Sequence, residues 1–153
     1  MRKTLLLAAL PVLALTGCTA DEALNCTKKG MDSAVSVVWQ PADFERTGGA
    51  TIRLCANGDC EERASLNPED PFETLSVRLP DDIGPKKLPV ELTVTPAKGG
   101  EPLKDTETAQ LVKEQPNGPG CEPTVWRAAF RAHPEKGLIP PKGLSLQPSR
   151  PAR

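Results

Sequence analysis

Apolar and polar residues alternate with period two along most of this chain, in short runs separated by clusters of Gly, Pro, Asn and Asp. Ser33 to Trp39 puts Val35, Val37 and Trp39 on one face and Ala34, Ser36 and Val38 on the other. Ala50 to Cys55 turns Ile52 and Leu54 inward and Arg53 outward, and the chain returns through Cys60 to Ser65 after Asn57-Gly58. Thr74 to Leu79 offers Leu75, Val77 and Leu79 to a core. In Leu88 to Thr95, Val90, Leu92 and Val94 alternate with Glu91, Thr93 and Thr95, and Pro89 confines itself to a strand start or an edge. Thr108 to Glu114 is more polar and reads as an edge strand. Thr124 to Arg131 sets Trp126, Ala128 and Phe130 against Arg127 and Arg131, with helical spacing as the rival reading for this segment alone. Pro41 to Gly49 reads as a loop.

About seven short strands with turns between them, and no convincing amphipathic helix, predict an all-β fold: an antiparallel, immunoglobulin-like β-sandwich over residues 26–133. Cys26 stands 13 residues before Trp39, which is similar to the cysteine-to-tryptophan spacing of immunoglobulin domains, with Cys121 in the place of the second cysteine. That likeness concerns architecture and implies no ligand. From Pro134 onward, Pro134, Pro140, Pro141, Pro148 and Pro151 punctuate a segment poor in core residues, which predicts a disordered, proline-rich and mildly basic tail over 134–153.

The N-terminus follows another rule. Arg2-Lys3 precede an apolar run from Leu5 to Leu15 that ends in small residues, the layout of a secretory signal peptide. A run of eleven is too short to span a bilayer, which takes about 20 residues. Leu15-Thr16-Gly17-Cys18 resembles the lipobox of bacterial lipoproteins. The resemblance implies a signal peptide over 1–17, cleavage after Gly17, lipidation of Cys18 with two acyl chains, a lipidated tether over 18–25, and residence on the extracytoplasmic face of the cell membrane. Two chains give stable anchoring where one gives only marginal binding. Thr19 to Asn25, at roughly 3.5 Å per residue, reach at most about 25 Å.

Setting Cys18 aside leaves Cys26, Cys55, Cys60 and Cys121, an even set in an exported chain and therefore two disulfides. Asn57-Gly58 is the preferred pair for a two-residue type I′ hairpin turn, which places Cys55 opposite Cys60 and leaves Cys26 for Cys121. Cys55 and Cys60 have four residues between them, unlike the C-x2-C of metal sites, and His133 is the sole histidine, so neither a metal nor a cofactor is expected. With two Trp, three Phe and no Tyr, the core must rest on aliphatic residues, which favours stapling.

The chain carries 19 basic and 20 acidic residues, and cleavage would remove Arg2 and Lys3 to leave 17 against 20, so no basic field points to nucleic acid. There is no G-x-S-x-G elbow and no S-x-x-K. The carboxylate pairs Glu61-Glu62, Glu69-Asp70 and Asp81-Asp82 lie in turns or on a strand whose neighbouring residues point to opposite faces. These features predict a non-enzymatic binding or accessory module. Its partners would be the membrane, through the anchor, and an envelope protein or polymer. An enzyme with a carboxylate-based site and a structural envelope lipoprotein are the rival readings. Arg53, Arg78, Arg127 and Arg131, all at outward strand positions, are the candidate binding residues, since arginine is enriched at interfaces.

Overall fold

The alternating segments become nine strands in two sheets in the computed structural model, which describes residues 25–141. Leu15 to Cys18, and the chain beyond Pro141, lie outside the described residues. A five-stranded sheet runs in the order β4 (Glu73–Arg78), β1 (Ala34–Trp39), β8 (Val125–His133), β7 (Val112–Glu114), with β9 (Gly137–Ile139) also paired to β8. A four-stranded sheet runs β3 (Asp59–Ser65), β2 (Ala50–Ala56), β5 (Lys87–Pro96), β6 (Leu103–Gln110). Their inner faces share one core. Val35, Val37, Trp39, Leu75 and Val77 come from the first sheet, and Ile52, Leu54, Val90, Leu92 and Val94 from the second. Each such side chain contributes roughly 1.5–3 kcal/mol on leaving water. The fold is an all-β sandwich.

Trp39 is fully buried, and its indole Nε1 donates to Ser65 Oγ at 2.9 Å, so the one polar atom of the largest core side chain is satisfied. At the β2–β3 turn, Asn57 (φ 54°) and Gly58 (φ 88°) both take positive φ, as a type I′ turn requires. Cys55 and Cys60 are register partners and are disulfide-bonded. Cys26 is bonded to Cys121.

The sequence-based picture needs five corrections. The order is not wholly antiparallel, because β1 and β8 pair in parallel, with Ala34 opposite Arg127 and Val38 opposite Arg131. The Cys26–Cys121 bridge joins the segment before β1 to the segment before β8, and so ties together the entry points of two neighbours in one sheet. It does not cross between sheets as the immunoglobulin bridge does. The third correction concerns the polar edge segment, which divides at Leu111. That residue is buried and donates its N–H to Lys86 O, where the chain passes from β6 to β7 and so from one sheet to the other. The loop at Pro41 to Gly49 contains a 3-10 helix, Pro41–Thr47, which buries Phe44 and ends at Gly48 in the left-handed conformation.

The fifth correction moves the boundary of the tail. Pro134 does not end the folded part, since β9 pairs with the end of β8 and Leu138 is 4 % exposed beside Ala132. Leu138 N also donates to Asp105 Oδ2 at 2.7 Å, tying β9 to β6. Proline composition hid a three-residue strand whose buried leucine completes the core. Leu138→Ala is accordingly expected to cost about 2–3 kcal/mol, the usual range for a large-to-small core change. Urea unfolding checks this, and an unchanged midpoint would return 137–139 to the tail.

Candidate functional site

Outward positions on the two sheets differ in kind. On the four-stranded sheet, Arg53 sits between Glu62 on β3 and Thr93 on β5, and Glu91 and Lys104 occupy the same face, so the charge is mixed. On β4, β1 and β8 the outward series is Thr74, Ser76 and Arg78, then Ala34, Ser36 and Val38, then Arg127, Ala129 and Arg131. These three strands contribute three outward arginines and no outward carboxylate, and β7 adds Glu114 to the same face. Arg78, Arg127 and Arg131 therefore share one face, while Arg53 lies on the opposite side of the sandwich and does not join them.

Every residue of β1 is buried, including the outward ones. Two arginines of β8 reach toward this strand. Arg127 Nη2 reaches across to donate to Ser36 Oγ at 3.4 Å, and Arg131 Nη2 reaches Gln40 Oε1 at 2.9 Å and Asp43 Oδ2 at 3.1 Å. Both side chains are half-buried, and Arg131 Nε is buried without a hydrogen-bond partner among the described residues. Ser36 is 1 % exposed, and its hydroxyl shares a hydrogen bond of 2.8 Å with Ser76 Oγ across the β1–β4 pair.

The three guanidinium groups are held differently. Arg131 is about a quarter exposed and is matched by the similarly covered Asp43, so it fastens the 3-10 helix to the sheet. Arg78 pairs with Asp32 at 3.0 Å, but both side chains are more than half exposed, and such pairs contribute only about 0–1 kcal/mol. Arg127 has no ion pair among the described residues. Together Asp32, Ala34, Ser76, Arg78 and Arg127 line a shallow open cup of about 310 Å³ at the start of β1.

This cup lies at the end of the sandwich where the chain arrives from the N-terminus. Asn117, itself buried, fixes that arrival. Its Oδ1 accepts from Thr27 Oγ1 at 2.8 Å and Lys29 N at 2.7 Å, and its Nδ2 donates to Lys29 O and Glu122 O. Ser33 continues the attachment, accepting Trp126 N at its hydroxyl and Leu79 N at its carbonyl. Asn117 reads in sequence as one more turn residue between prolines, and only a contact 88 residues away reveals its use.

The carboxylate pairs stay dispersed. Glu61 and Glu62 lie on the outer strand β3 at opposite faces, Glu69 and Asp70 in the loop before β4, and Asp81 and Asp82 in the loop after it. Glu73 is the acidic residue that sequence reading missed. It accepts from Ser65 Oγ at 3.3 Å through Oε1, while Oε2 is buried without a partner. It extends the Trp39–Ser65 chain at the far end of the sandwich from the cup. Comparison of the chain with protein-family models, with curated proteins and with solved structures gives no match.

Proposed function

We propose that this protein is a lipid-anchored, extracytoplasmic binding or accessory module at the bacterial membrane surface, and that it meets its partner through the outer face of the five-stranded sheet. The observation that carries this reading is the charge distribution on that face. Strands β4, β1 and β8 bear Arg78, Arg127 and Arg131 and no outward carboxylate of their own, around a strip of small or sheltered residues, Ala34, Ser36, Val38 and Ala129, with Glu114 of β7 at the margin of the face. A flat surface with arginine anchors suits recognition, because the guanidinium fork offers several donors in fixed geometry and is weakly hydrated. The opposite sheet, with its Arg53, Glu62, Glu91 and Lys104, has the mixed charge of an ordinary solvated face.

The anchor half of the proposal comes from the resemblance of Leu15 to Cys18 to a lipobox. The two disulfides support the extracytoplasmic part, since such bonds persist in oxidising compartments. The dispersal of the carboxylate pairs over a strand and two separate loops, beside a sequence without a hydrolase signature, favours the binding reading over the catalytic one.

Site-specific photo-crosslinking on intact cells tests the face. A photoreactive residue in place of Ser76, exposed on β4, is expected to give a discrete adduct, whereas one in place of Arg53 should give none. Equal adducts from both faces, or adducts from Arg53 alone, would remove the five-stranded sheet from the proposal.

A further inference from the structure

The cup at the start of β1 combines two arginines, a small residue between them and a hydroxyl. Arg78 and Arg127 are both register partners of Ala34, so their Cα atoms stand two strand spacings apart, about 10 Å, with the smallest side chain of the strip between them. One of these guanidinium groups lacks a carboxylate, and the other is held by an exposed aspartate that solvent and competing anions can displace. Ser76 adds an exposed hydroxyl at the floor, already poised by its bond to Ser36. The volume, about 310 Å³, lies at the lower end of ligand pockets and suits a head group rather than a large organic molecule.

We infer that this cup binds a single phosphate group, as a mono- or diester, between Arg78 and Arg127. The inference rests on the reading of this face as the binding surface and names the chemistry recognised there. A carboxylate keeps its two oxygens in one plane on one side of its carbon, so two forks approaching from opposite sides compete for the same pair. A phosphate sets its non-ester oxygens, three in a monoester and two in a diester, in a tetrahedral array, so that each of two forks approaching from opposite sides can take an oxygen of its own. Asp32 opposes the anion and moderates affinity until Arg78 turns from it to the phosphate. The cup sits where the chain enters the fold, with Asp32 six residues beyond Cys26. A phospholipid head group of the membrane holding the tether and a soluble phosphate ester thus offer the same chemistry from two sources.

The test uses the full-length chain purified in neutral detergent and titrated with glycerol 3-phosphate or with dioctanoyl phosphatidylglycerol, binding being read by phosphorus NMR. Wild type is expected to bind, Arg127→Gln to weaken binding about tenfold or more, and Arg127→Lys to fall between, since the charge stays but the fork is lost. Arg53→Gln, on the opposite face, should bind as wild type does. Asp32→Asn removes the competing carboxylate from an exposed position and should tighten binding several-fold. That gain is one a purely structural role would not produce, and it holds even if Arg127 variants fold poorly. Tighter binding of the lipid than of the free ester assigns the membrane as the source, and equal binding assigns a soluble ester. Absence of binding by wild type, or undiminished binding by Arg127→Gln, overturns the inference. If crosslinks from Ser76 still form in that event, the binding face stands and only its phosphate chemistry falls. If they do not, both fall together.

Discussion

Replacing Cys26 and Cys121 together by serine is expected to lower the unfolding free energy by about 4–5 kcal/mol, the chain-entropy value for a bridge that closes a span of 95 residues. Double replacement of Cys55 and Cys60, separated by 5 residues, should cost only about 2 kcal/mol by the same argument. The contrast follows from topology. β1 and β8 are parallel neighbours near opposite ends of the domain sequence, and no short turn can join parallel strands. Bringing them together carries the full closure entropy of the intervening chain, and the Cys26–Cys121 bridge removes that cost from the unfolded state. The Asn57-Gly58 hairpin needs no such help, because its turn already selects the register that sets Cys55 against Cys60. The larger loss corresponds to a fall of roughly 15–20 °C in the unfolding midpoint of a domain of this size. Unfolding of the two double variants side by side, without reductant, checks the ordering. Equal losses, or a larger loss for the hairpin pair, would contradict this dependence on the parallel strands.

Much of the sandwich was legible in the sequence because local rules dominate where one strand face is buried. Val35, Val37 and Trp39, or Val90, Leu92 and Val94, can meet a core only in one register, and Asn57-Gly58 admits little but a tight hairpin. What escaped depends on distant partners. β9 escaped because a strand of three residues carries almost no periodicity, and Leu138 acquires meaning only beside Ala132 and Asp105. The parallel pairing escaped because alternation is blind to strand direction. The split at Leu111 escaped because a change of sheet looks, locally, like a continuing edge strand.

The candidate site shows the same division. The outward placement of Arg78, Arg127 and Arg131 followed from period two, but their gathering on one face, and the separation of Arg53 from them, required the strand order β4-β1-β8. The partners that distinguish the arginines were not legible at all. Asp32 and Asp43 lie just outside β1 at either end, and each reaches an arginine on a different strand. The Ser36–Ser76 pair depends on register across a contact 40 residues apart.

Complete loss of lipid attachment on replacing one residue is the other large effect expected. The proposed binding face would serve at a membrane surface only if the chain is held there, and the short run from Thr19 to Asn25 would keep the start of the fold within about 25 Å of the proposed anchor. Acyl chains contribute about 0.8 kcal/mol per buried CH2, so the two-chain anchor proposed at Cys18 would hold the protein on the membrane. Asn117 and the Cys26–Cys121 bridge then pass that position on to the sandwich, since they fix the segment from Cys26 to Lys29 against the end that holds the cup. The deciding measurement is growth of a bacterial host expressing the full-length chain with an alkyne-tagged fatty acid, followed by detection of the label on the purified protein. The account predicts a labelled wild-type chain whose first residue is Cys18, and no label on Cys18→Ala. An unlabelled wild type, or a label that survives Cys18→Ala, would contradict it.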